Sequence, residues 1–223
     1  TLKSIGYDTL GNAGPVGTET YIIDKEGPTV TAAPPGGTFG TDQLVTLSST
    51  ATDLDKIYYT TDGTEPDNTD TEFTADISIS ATAGTTTTTV LKFIGYDTLG
   101  NAGPVGTETY IIDKEGPTVT AAPPGGTFGP AGTSVTLSSA DASDSIFYTT
   151  DGSEPDDTDT EYTGAISITS TTTLKFIGYD TFGNPGPVGT EIYTIDSTGP
   201  TVTAAPPGGT FGPAGTSVTL SSA

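Results

Sequence analysis

The chain has 223 residues with no Cys, Met, Trp or His; its 6 basic residues are all Lys, and 28 Asp plus Glu give a formal charge of −22. Disulfide and thiol chemistry are therefore excluded, as are catalytic triads, thiolate nucleophiles and histidine zinc sites. An acidic chain without Arg is repelled by nucleic-acid backbones and anionic lipid, so nucleic acid is not an expected partner, and no window approaches the ~18 apolar residues of a membrane-crossing helix.

Self-similarity organises the chain. The stretch that opens at Leu2 and runs to Gly40 returns at Leu91 with a single change, Ser4 becoming Phe93, and a third copy opens at Leu174. Residues 117–140 recur letter for letter at 200–223. The expected organisation is the C-terminal part of a repeat over 1–27, complete repeats over 28–116 and 117–199, and the N-terminal part of a further repeat over 200–223. Residues 1–27 and 200–223 together still lack the middle strands of a repeat, which favours a window of a longer array over one protomer's tail completing the next protomer's head.

Within 28–116, short runs rich in β-branched and aromatic residues predict strands over 29–32, 44–48, 56–61, 77–80, 90–97 and 107–113, with Phe73 marking another. Turn formers separate them: Pro34-Pro35-Gly36-Gly37, Asp62-Gly63, Gly100-Asn101 and Gly103-Pro104. The Thr-rich stretches 85–89 and 170–173 read as strand starts rather than glycan carriers. About seven strands in this length predict an all-β fold of tandem immunoglobulin-like antiparallel sandwiches. The connector Asp113-Lys114-Glu115-Gly116-Pro117 is too short for a floppy tether, so a semi-rigid rod is expected.

The run Ile57-Tyr58-Tyr59-Thr60-Thr61-Asp62-Gly63-Thr64-Glu65-Pro66, followed by Leu91-Lys92-Phe93-Ile94-Gly95-Tyr96-Asp97 and Gly100-Asn101, resembles the chitobiase and β-hexosaminidase C-terminal domain family. The second copy, from Ile146 to Pro155 and from Leu174 to Asn184, resembles it equally. That resemblance implies an immunoglobulin-like accessory module, found beside glycoside hydrolases or in tandem in large bacterial surface proteins.

Two clusters of carboxylates are candidate sites for Ca²⁺, the one cofactor considered. In the acidic loop Asp62, Glu65, Asp67, Asp70 and Glu72, with its counterpart from Asp151 to Glu161, hard oxygen ligands stand beside the alternative of a hairpin turn with solvated charges. At the repeat boundaries, Asp97 with Asp113 recurs as Asp8 with Asp24 and as Asp180 with Asp196, two carboxylates for one ion at each boundary. The alternative there is a self-bonded Asx turn at Asp97 and a strand-end cap at Asp113. A Lys–Asn isopeptide link through Lys92 and Asn101, and a sugar-stacking platform of Tyr58, Tyr59 and Tyr96, are weaker readings.

No motif supports a Ser–Lys or paired-carboxylate enzyme. The expected role is therefore a structural segment of an extracellular or cell-surface protein, bacterial or archaeal, whose partners are copies of itself, with polysaccharide as the competing partner.

Overall fold

Over residues 45–48 large apolar side chains alternate with polar ones, as a strand with one wet face requires. Val45 and Leu47 are buried, while Leu44, Thr46 and Ser48 face solvent. The computed structural model describes residues 1–140 and 144–222, and all its regular elements are strands. They form two units, Thr1–Lys114 and Glu115–Ala223.

The first unit begins with a hairpin of β1 (Leu2–Ser4) and β2 (Gly17–Glu19). A sandwich follows, built from β3 (Thr31–Ala33), β4 (Gly37–Phe39), β5 (Gln43–Ser48), β6 (Leu54–Thr60), β7 (Thr71–Glu72), β8 (Ile77–Ile79), β9 (Thr86–Asp97) and β10 (Gly106–Asp113). One sheet has the order β3-β5-β8 and the other β4-β10-β9-β6-β7. All pairs are antiparallel except β4 with β10, where Gly37 to Phe39 run parallel to Tyr110 to Ile112. The Gly-rich stretch read as a turn thus also supplies an edge strand.

The second unit repeats this plan. Its strands are β11 (Thr120–Ala122), β12 (Gly126–Phe128), β13 (Thr133–Ser138), β14 (Ser145–Thr149), β15 (Thr160–Glu161), β16 (Ile166–Ile168), β17 (Thr172–Tyr179) and β18 (Gly189–Ile195). The sheets are β11-β13-β16 and β12-β18-β17-β14-β15. A last hairpin joins β19 (Val202–Ala205) to β20 (Thr219–Ser222). The Thr-rich stretches do open β9 and β17, as their β-branched side chains predict.

Each sandwich has its own core. In the first, Val30, Val45, Leu47, Ile77 and Ile79 of one sheet meet Ile57, Leu91, Phe93, Tyr110 and Ile112 of the other. Tyr110 is fully buried and its hydroxyl donates to Pro34 O at 2.6 Å, so the one polar atom of the ring is satisfied. Burial, with the charge of Glu108 adding to it, pushes that phenol up to about 12. Phe93 packs against Gly106: a Cβ there would sit 2.1 Å from the ring. Gly189 seats Phe176 at the same 2.1 Å. The glycine is demanded by the ring above it, not by backbone conformation.

At the far end of the first unit Lys114 is pinned in place. Its Nζ pairs with Asp42 Oδ1 at 2.6 Å and donates to Ala81 O at 3.0 Å, and its backbone exchanges bonds with Gly84 and Thr85. The hydrogen bond from Lys114 holds the Asp42 carboxyl below its ordinary value, against the opposing effect of desolvation.

Two outcomes follow for stability. Gly106→Ala must displace the Phe93 ring or open the β9–β10 pair, and is expected to cost about 2–3 kcal/mol, read as a fall of roughly 10–20 °C in the melting temperature of the first unit. Because the folded carboxyl of Asp42 lies below its ordinary 3.8, its contribution is present above that pH and lost as pH falls below it. Urea midpoints should hold from neutral pH down to that value and then drop, with a shallower drop in Asp42→Asn; equal slopes in the two proteins would remove Asp42 from the account.

Candidate metal centre

Strand β9 ends at Asp97, and the chain must reverse there to reach β10. Asp97 is 2% exposed, so its charge needs partners inside the fold. The sequence Asp97-Thr98-Leu99-Gly100-Asn101 supplies them. Oδ1 accepts from Leu99 N at 2.9 Å and Asn101 N at 2.7 Å, and Oδ2 accepts from Asn101 Nδ2 at 2.7 Å. Gly100 takes the left-handed conformation the turn requires, at φ 87°. Burial raises the carboxyl and this set of hydrogen bonds, led by the Asn101 side chain, outweighs it, leaving the group below its ordinary value.

The same loop is built three times. Asp8 accepts from Leu10 N, Asn12 N and Asn12 Nδ2, and Asp180 from Phe182 N, Asn184 N and Asn184 Nδ2.

Onto the Asp97 loop comes the chain that enters the repeat. Cβ atoms on Gly27 and Gly103 would lie 2.1 Å from Ala102 C and 2.0 Å from Pro28 O, so both contacts are open only to glycine. Asn101 Nδ2 also reaches Asp24 O at 3.4 Å, and Thr98 N donates to Asp53 O at 3.0 Å. These bonds bring three carboxylates together. One oxygen each from Asp24, Asp53 and Asp97 lies within 4.8 Å of the others, with Asp97 buried and the other two open to solvent. Oxygens bound to one Ca²⁺ at about 2.4 Å lie at most about 4.8 Å apart, so the trio has the spacing such an ion needs. Asp97 Oδ1 already accepts two N–H groups, whereas Oδ2 accepts one and keeps a lone pair for the ion.

The remaining boundary aspartates have other surroundings. Asp113 closes β10 opposite Thr86, at the other end of β9 from Asp97, and its Oδ1 accepts from Thr86 Oγ1 at 2.7 Å. The carboxylate that meets Asp97 is Asp24, the preceding counterpart of Asp113 in the repeat. Asp196 accepts from Thr198 N and Oγ1 at 2.8 and 2.6 Å. Asp53 was missed by sequence reasoning, since a single Asp between two strands carries no motif. The corresponding stretch of the second repeat includes residues 141–143, outside the described residues.

In the acidic loops the carboxylates are tied to turns. Asp62 and Asp67 each accept from the backbone and hydroxyl of the Thr two residues on. Those side-chain bonds hold both below their ordinary value. Glu65 pairs with Lys92 and Glu72 with Lys56. Since Lys92 Nζ meets Glu65 while the Asn101 amide binds Asp97, the Lys–Asn pair is not assembled here. Of the tyrosines, Tyr59 packs on the core, whereas Tyr58 and Tyr96 meet edge to face at 5.8 Å beside Asp55, Lys56 and Asn68.

Comparison with known proteins gives one family. The model for the chitobiase/beta-hexosaminidase C-terminal domain matches residues 34–107 and again residues 123–190. No curated protein sequence matches the chain. Among solved structures, the fibronectin(III)-like modules of Clostridium thermocellum CbhA align at 15% identity over 76% of this chain and 95% of theirs, with a TM-score of 0.32. Domains 7, 8 and 9 of the S-layer protein SbsC align at 17% identity over 78% of this chain and 62% of theirs, with a TM-score of 0.25. Neither superposition is close enough to argue from. The two family matches, by contrast, fall on the two sandwiches in turn and together span more than half of the sequence: the chain belongs to the chitobiase/β-hexosaminidase C-terminal domain family.

Proposed function

We propose that this chain is a non-catalytic structural repeat segment of a long extracellular or cell-surface protein, the shaft of a filament, stalk or adhesin. The observation that carries the reading is near-identity of the repeats in both sequence and strand order. Copies that keep the same core and the same boundary loop do the same mechanical task, and stability then accrues repeat by repeat. An enzyme needs one distinctive constellation, and duplication of this kind supplies none. The charge of −22 favours life in a medium where cations screen it.

Calcium belongs to this proposal. Asp24, Asp53 and Asp97 are the ligands, and an ion there ties the incoming chain to the loop that ends β9, stiffening the passage from one repeat to the next. Extracellular modules bind Ca²⁺ at about 10⁻⁴–10⁻³ M. In 10 mM Ca²⁺ the first unit is expected to melt roughly 5–15 °C higher than in chelator, and Asp53→Asn to abolish the difference. Equal melting in Ca²⁺ and chelator would remove the ion from the proposal without touching the structural role. That role is tested by imaging the native surface material, where beaded rods or fibres are expected; a soluble protein found only with a glycoside hydrolase would contradict it.

A carbohydrate-associated module is the second reading, favoured by the Tyr58–Tyr96 pair and its polar rim. Retention on a neutral polysaccharide, lost in Tyr96→Ala, would promote it.

A further inference from the structure

Strand pairing puts two aromatic rings on the outer face of the larger sheet. Leu91 and Phe93 of β9 point into the core, so Ile94 and Tyr96 stand on the other side. Tyr58 of β6 lies opposite Ile94 and Lys56 opposite Tyr96, which makes Tyr58 and Tyr96 diagonal neighbours on that outer face. Their rings meet at 84°, with centroids 5.8 Å apart. In the second repeat Phe147 lies opposite Ile177 and Ser145 opposite Tyr179, and these rings meet at 83° and the same 5.8 Å. Phe147 replaces Tyr58 without disturbing the pair, so the ring is kept and its hydroxyl is not. The face is not simply wet: Ile94 and Ile177 are each 6% exposed, and Pro66 and Pro155 are buried.

Two rings at nearly a right angle make a corner. A cavity of about 330 Å³ opens there, walled by Tyr58, Tyr96 and Leu99 and rimmed by Asp55 and Asn68. Lys56 also lines it, with its charge matched by Glu72 at 2.9 Å. Leu99 is tied by its N–H to Asp97 while its side chain stays 71% exposed; Phe182 has the same position in its repeat, tied to Asp180 and 47% exposed. The second repeat also has Asp157 in place of Asn68. Burial, and after it the charges of Asp157 and Asp156, raises the Tyr179 phenol, which sets carboxylate acceptors beside that ring.

An aromatic corner with amide and carboxylate groups at its rim suits a pyranose, whose C–H face stacks on a ring while its hydroxyls bond the rim. Charge narrows the choice. At −22, the chain repels an anionic polymer, and it repels a second copy that brings the same acidic rim. We propose that this corner is a glycan-binding subsite in both repeats, taking the pyranose rings of a neutral polysaccharide, and that the side chain at the position of Leu99 and Phe182 sets its strength. The third ring, Phe182, makes the site of the second repeat the tighter of the two. This rests on the carbohydrate reading of the Tyr58–Tyr96 pair and adds a specificity-determining position outside that pair. Sites repeated along an array turn weak single contacts into firm retention, so a shaft of such repeats is held by the glycan around it.

Affinity electrophoresis of the full chain tests this, in native gels cast with dextran, mannan, xyloglucan or mixed-linkage β-glucan, and with alginate as the anionic control. Retardation is expected in at least one of the neutral gels and not in alginate. Tyr179→Ala leaves the first site to be read alone, and Tyr96→Ala the second. In those backgrounds Leu99→Phe should tighten the first site about three- to tenfold, and Phe182→Leu should weaken the second by a like factor. Both exchanges are at exposed positions and should leave melting unchanged, so their effect on retardation reads binding. No retardation in any neutral gel would overturn the inference together with the carbohydrate reading. Retardation that vanishes when both tyrosines are replaced, yet ignores the exchanges at 99 and 182, would leave that reading standing and overturn the inference alone. Self-association in sedimentation that is lost in Phe182→Leu would overturn it in favour of a second copy as the occupant.

Discussion

A carboxylate taken almost wholly out of water governs the architecture of the first repeat. Asp97 is stable in its buried position because three N–H groups of the next four residues converge on it. That convergence fixes the reversal from β9 to β10. The reversal in turn offers a flat stretch of backbone, Ala102-Gly103, on which Gly27-Pro28 lies without room for a Cβ. The second unit uses the same device, with Gly116 against Pro185 and Gly186 against Pro117. One loop therefore sets both how the domain closes and where its chain enters.

Between the repeats the bonding residues of this loop are kept, Asp97, Gly100 and Asn101 matching Asp180, Gly183 and Asn184, while Leu99 and Ala102 become Phe182 and Pro185. β9 has 12 residues and β17 has 8, and most of the length change falls at the start of the strand, at the end away from the Asp97 loop. The cores change little, because Phe93 over Gly106 and Phe176 over Gly189 leave no freedom in ring or glycine. The sheets also end safely. Their edge strands β3, β4, β7 and β8 have two or three residues each, too short to template pairing with another chain.

The carboxylates divide by what surrounds them. Asp62 and Asp67 are occupied by neighbouring Thr groups, and Glu65 and Glu72 by lysines, so these loops are shaped by their own charges. Asp24, Asp53 and Asp97 are brought together from three separate parts of the sequence, and among the described residues none of the lysine–carboxylate pairs involves them. Close like charges are costly unless a cation joins them, which is why this cluster, and not the denser acidic loop, carries the metal proposal.

The sequence by itself determined the repeat, the all-β class and most strand positions, and it offered the Asx turn at Asp97 as one of two readings of that loop. Each of these rests on local physics: alternation with period two, β-branched runs, and an Asp whose side chain bonds backbone two and four residues on. It also assigned the family through the segment around Tyr59 and Gly95. Tertiary structure alone decided the rest. The parallel β4–β10 pair joins residues more than 70 apart, Tyr58 and Tyr59 part company because one packs against Tyr96 and the other on the core, and Asp53 joins Asp24 and Asp97 only after the sheets have packed. No local pattern encodes these meetings, because the closure of the two sheets over one core brings the residues together.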